Sequence, residues 1–231
     1  MIKRLVETFA FFKTFISDIV RFLLYTTLPI LVVETWLSYH VANAEPEGVI
    51  GYAPFLIRFL YKPIYTGGFI YLISILVSES NWEIKGCLMV GLRNWQNLII
   101  IYVVSSLIIV AGIVALIIPG LIMFARLSLS EFFLVLERTN PKEAMLKSFK
   151  WSRPFTWEII GCTFLLSIMF VIANLFVQLL GNAVSLNPQV IFLLTAMLGI
   201  FLESMVNILL FRFYDLSLKA QRRLEIRPSE T

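Results

Sequence analysis

LIIIYVVSSLIIVAGIVALII, from Leu98 to Ile118, holds no charged residue across 21 positions. As an α-helix it is about 31 Å long at 1.5 Å per residue, which matches the ~30 Å hydrocarbon core of a bilayer. A helix that is apolar on every side needs apolar surroundings on every side. Five further runs of spanning length flank it, at roughly 19–41, 53–78, 120–137, 156–181 and 189–215. The chain therefore reads as an all-α integral membrane protein with six transmembrane helices over 1–217, followed by a basic tail at 218–231.

Composition agrees with this reading. Hydrophobic residues make up 59% of the 231, and mean hydropathy is +0.86. Charged residues are only 15%, against about 25% in soluble domains. The net charge of +4 does not point to nucleic acid, because no basic stripe with interleaved stacking residues lies outside the spans.

Position explains the charge better. Of the 19 Lys and Arg residues, all except Arg58, Lys62 and Arg126 fall in the segments before, between and after the span pairs. The other three connections, 42–50, 118–120 and 181–188, hold none. The positive-inside rule then puts both termini in the cytoplasm. Arg58 and Lys62 sit between Pro54 and Pro63, which leaves two readings open. Either the second span includes them, or 50–62 lies on the outer surface and the span runs from Pro63 to Ser80. Ala42-Asn43-Ala44 resembles a signal-peptidase site, but the preceding apolar run is longer than a signal core and carries Glu34. The expectation is a retained first span.

Short amphipathic segments precede spans one, three and five. In 1–13, Ile2, Leu5, Val6, Phe9 and Phe12 share a helical face. In 81–95, Ile84, Cys87, Leu88, Gly91 and Trp95 do the same. The third, 140–153, opens with Asn140 as N-cap, Pro141 at the first position and Glu143 at the third, and Glu143 precedes Lys147 by four. The chain thus divides into three units of amphipathic helix, outward span and returning span, a possible pseudo-repeat. Pro119-Gly120 marks a tight hairpin between spans three and four, with Ala111, Gly112 and Ala115 available for close helix approach.

Ionisable groups within spans cost several kcal/mol unless paired, so each is a functional candidate. Arg126, Glu131, Glu203 and Asn207 are the intramembrane polar candidates, joined by Glu158, Asn174 and Gln178. An Arg126–Glu203 pair would neutralise two of these charges. Lys142, Lys147, Lys150 and Arg153 before span five, with Arg212 and Tyr214 at the end of span six, are the lipid-interface candidates. The five tryptophans, all near expected interfaces, read as membrane anchors, and His40 as an interfacial ring.

Catalytic motifs are lacking: there is no G-x-S-x-G, P-loop, CxxC or dinucleotide glycine pattern. Cys87 and Cys162 fit no metal or redox spacing, and one histidine cannot build a paired-imidazole site. No cofactor, metal or catalytic residue is expected, and the chain reads as non-enzymatic.

Several local features occur in a characteristic order. They are Gly67-Gly68; Ile118-Pro119-Gly120 with Leu121-Ile122-Met123; Val135-Leu136-Glu137; Ala144-Met145-Leu146-Lys147-Ser148 with Trp151; and Leu210-Phe211-Arg212-Phe213-Tyr214. Through them, residues from about 60 to 217 resemble the YciC-like family of bacterial inner-membrane proteins. The resemblance to the membrane domain attached to some glycerophosphodiester phosphodiesterases is more distant. It implies an integral inner-membrane protein of a family without an assigned activity, and it transfers no site residue. The stretch with Arg58 and Lys62 departs from the family's pattern. Three functions follow as expectations: organisation of anionic inner-leaflet lipid or a partner protein, a small transporter using the intramembrane charges, and an accessory subunit of a larger complex.

Overall fold

The computed structural model describes the backbone of residues 2–43 and 53–225 and the side chains of 3–37 and 53–222. Every regular element among them is helical: α1 (Ile2–Thr14), α2 (Ile16–Asn43), α3 (Ala53–Val77), α4 (Ile84–Arg93), α5 (Trp95–Ala115), α6 (Ile117–Leu127), α7 (Ser130–Glu137), α8 (Pro141–Trp151), a 3-10 turn (Arg153–Phe155), α9 (Thr156–Ala183) and α10 (Pro188–Glu225). Six stretches are long and apolar enough to cross a membrane, with α6 and α7 together forming the fourth, Ile117–Glu137. The connection around 44–52, with the end of Ala42-Asn43-Ala44, the His40 side chain and the tail from 226 onward lie outside the described residues.

The helix pairing is cyclic. Outward and returning spans form the hairpins α2–α3, α5–α6 and α9–α10. Each amphipathic helix packs on the returning span of the unit before it: α4 on α3, α8 on α7, and α1 on α10. Each returning span also touches the next outward one, in the pairs α3–α5, α6–α9 and α10–α2. The three units thus close into a ring.

The core lies at the end of the bundle that carries the amphipathic helices, hereafter the basic end. Phe69, Leu72 and Ile73 of α3, Phe132, Phe133 and Leu134 of α7, and Leu209 and Phe213 of α10 are completely buried. By contrast α5 is exposed along most of its length, with Leu107 at 65% and Val114 at 81%. Such a surface suits hydrocarbon and not water. The amphipathic helices are buried on one side and present exposed apolar residues on another. Thr8, Cys87 and Ser148 face the bundle and are fully buried, while Val6 and Phe9, Met89 and Leu92, and Leu146 and Phe149 remain exposed. Of the face expected in 1–13, Phe12 is buried, together with Phe11, while Val6 and Phe9 are exposed.

Glycines set the closest helix contacts. A Cβ on Gly91 would stand 2.1 Å from the Ile64 carbonyl oxygen, and one on Gly67 would stand 2.9 Å from the Gly91 Cα. Between α5 and α6 the turn is made at Leu116, which is extended (φ −166°, ψ 144°), and not at Pro119-Gly120. Pro119 falls in the first turn of α6, where a backbone N–H has no helical partner to lose. Gly120 packs on Gly112, whose added Cβ would lie 2.9 Å from the Gly120 Cα. Ala111 and Ala115 are exposed and take no part in that approach.

Candidate polar sites

Two features prepare a polar site inside the bundle. The first is an interruption of the fourth span at Ser128-Leu129, between α6 and α7. No proline or glycine breaks the helix there. Ser128 and Ser130 hydroxyls donate back to the Ala125 and Leu127 carbonyls, and α8 adds a tertiary hold: Ser148 Oγ donates to the Arg126 carbonyl at 2.6 Å and accepts from the Leu129 N–H at 3.2 Å. Ser152 Oγ adds a second bond to the Arg126 carbonyl at 3.1 Å. Buried backbone groups freed by a break need such partners.

The second feature is α3, one helix from Ala53 through Pro63 to Val77, with no break at Pro63. It carries Arg58 and Lys62 into the bundle. Arg58 lies 3.6 Å from Glu34 of α2, and Lys62 Nζ lies 3.4 Å from Glu203 Oε1 of α10. Lys62 also lies 5.7 Å from the Tyr102 ring centroid. Glu131, in the first turn of α7, is within Coulombic range of both Lys62 and Glu203. The Tyr102 hydroxyl lies beside Glu131 and Thr66 without hydrogen-bond geometry to either. Tyr65 and Ser204 share a buried hydrogen bond of 3.0 Å. One positive and two negative groups thus gather where α3, α5, α7 and α10 meet. The buried Thr66 Oγ1, Tyr102 Oη and Asn207 Nδ2 have no hydrogen-bond partner among the described residues.

Three of the intramembrane candidates fall at or near this cluster: Glu131, Glu203 and, one turn after Glu203, Asn207. Arg126 does not. Its guanidinium stacks 4.6 Å from the Phe149 ring centroid on α8, so the expected Arg126–Glu203 pair is not formed and Lys62 takes the place of Arg126. Depth along a helix says nothing about the direction a side chain faces, and that is where the reading failed. Glu158 pairs with Arg4 of α1 at 3.8 Å, while Asn174 accepts from Gln178 at 2.8 Å on the exposed side of α9.

The lipid-interface candidates also divide. Lys142, Lys150 and Arg153 are exposed and have no carboxylate partner among the described residues. Lys147 is committed internally, 2.8 Å from Glu137 and 3.4 Å from Glu143, and these contacts raise its pKa. Arg212 stacks over Phe11, and Tyr214 is buried among Phe132, Phe133 and Phe211 instead of facing an interface. Two tryptophans are internal ties: Trp82 Nε1 donates to Asp18 at 3.0 Å and Trp95 Nε1 to the Leu60 carbonyl at 2.7 Å.

These features define a multi-pass helical membrane protein. No family model and no solved structure matches the chain. It is similar to UPF0259 membrane proteins of Buchnera aphidicola subsp. Acyrthosiphon pisum, strains 5A, APS and Tuc7. Each is 28% identical over 164 residues, which cover 69% of this chain and 63% of the relative. The match thus spans somewhat under two thirds of those relatives' length.

Proposed function

We propose that the protein is a non-enzymatic component of a bacterial inner membrane, oriented with its basic end to the cytoplasm, that gathers anionic lipid along α8. We also place it with the YciC-like family, on the ordered features from Gly67-Gly68 to Tyr214. The observation that carries the lipid reading is that Lys142, Lys150 and Arg153 lie together on one short segment, exposed and without carboxylate partners among the described residues. Beside them Leu146 and Phe149 offer apolar surface to the same interface. Each cation contributes about 1 kcal/mol of attraction to an anionic leaflet. The test is the phospholipid retained by the full chain purified in mild detergent. Replacing Lys142, Lys150 and Arg153 with glutamine lowers the anionic fraction several-fold; an unchanged fraction ends the reading. A reporter fused near Lys147 that proved active outside the cell would reverse the orientation.

A second reading, a small transporter, is favoured by one observation. The fourth span is discontinuous, and Glu131 stands just beyond the break facing Lys62 and Glu203. Broken spans with charges near them often mark substrate paths. Cysteines placed at Ile200 and Met205 would react with a polar thiol reagent if water reaches this cluster; no reaction removes the reading.

A further inference from the structure

A cavity of about 580 Å³ opens at the basic end where the three units meet. Tyr71 comes from α3, Arg93 from the last turn of α4, Asn97 from α5, Arg138 from the residue after α7, and Asp215 from α10. None of the residues assigned to lipid attraction above lines it. Its charge balance is one-sided. Asp215 is already 2.7 Å from Lys219, whereas Arg93 and Arg138 have no ion-pair partner among the described residues. The Tyr71 hydroxyl and the Asn97 amide have no hydrogen-bond partner there either. Two exposed guanidinium forks, an amide and a phenol therefore border one open space, whose other walls include Val90, Val135 and Phe211, with no acceptor from the protein engaging them.

We infer that this cavity is a binding site for a phosphate group, carried as a mono- or diester. A guanidinium matches two phosphate oxygens at once, and a second one, with amide and phenol donors, accounts for the other oxygens of a tetrahedral anion. The volume falls in the range of small-molecule sites and leaves room for the alcohol portion of an ester. Arg138 is held there by a left-handed backbone (φ 54°, ψ 38°) at the end of α7, a conformation that glycine adopts at less cost. The inference is independent of α8, because it uses Arg93 and Arg138 and not Lys142, Lys150 or Arg153.

That backbone supplies a clean test. Arg138→Gly removes the guanidinium while suiting the local conformation, so the unliganded thermal midpoint is kept or raised. Arg93→Gln removes the other fork. The full chain in detergent is titrated with inorganic phosphate and with glycerol-free phenyl phosphate, at constant ionic strength, and its retained phospholipid is measured separately. A free-phosphate source raises the wild-type midpoint, and both variants weaken that response tenfold or more. A lipid source leaves the titrations flat, while both variants lose wild-type phospholipid and Lys85→Gln, an exposed cation outside the cavity and outside α8, does not. Equal responses in wild type and variants in both arms, or an equal midpoint shift from chloride, would overturn the assignment.

Discussion

Lys62 Nζ on α3 lies 3.4 Å from Glu203 Oε1 on α10, joining the returning spans of the first and third units. Both side chains are only partly buried, yet removing one partner leaves the other charged within a span, which costs more than removing both. Lys62→Met should destabilise the protein by roughly 1–3 kcal/mol, and adding Glu203→Met should restore a good part of the loss. Thermal midpoints in one detergent measure this, and a double variant no better than the single one would contradict it.

Gly91→Ala should be severe, because its Cβ would come within 2.1 Å of a backbone oxygen that cannot rotate away. Pushing α3 and α4 apart costs about 1–3 kcal/mol. Gly86→Ala, on the same helix, meets nothing within 4 Å and should stabilise by about 0.5–1 kcal/mol. The pair of midpoints should therefore move in opposite directions.

Ser148→Ala withdraws both the donor to the Arg126 carbonyl and the acceptor from the Leu129 N–H. The buried Leu129 N–H is orphaned, at about 1–3 kcal/mol, while the Arg126 carbonyl keeps its bond from Ser152. Hydrogen exchange should rise at 128–131 before it rises elsewhere; uniform acceleration would mean the break is not locally held.

Burial pushes the Cys87 thiol up to about 11. A raised value in the folded state means that its contribution is complete below the unfolded value of about 8.5 and is lost as pH climbs through about 11. The thermal midpoint should fall over that window by more in the wild type than in Cys87→Ala. Alkylation of Cys87 at about pH 8 should be slow until the protein unfolds.

The spans were readable because hydrocarbon selects for composition segment by segment, and the Asn140 cap because its signal is local; Asn140 does accept the Glu143 N–H, at 2.9 Å. The cluster was harder to see. Lys62 stood out only as a misplaced charge, and nothing in one sequence shows that α3 turns it toward Glu203. The break at Ser128-Leu129 is held from some twenty residues away, by Ser148 and Ser152. Their spacing of four on an amphipathic helix was the available hint.

Ring closure carries a consequence for biogenesis. Phe12 meets Phe201 edge-to-face at 4.9 Å, and Phe11 lies under Arg212, so α1 binds a helix made nearly two hundred residues later. At roughly 5–20 residues per second, the nascent α1 waits about 10–40 s for its partner. Through that interval its aromatic edge is uncovered, and the bilayer surface or a chaperone must shelter it until translation delivers the closing segment.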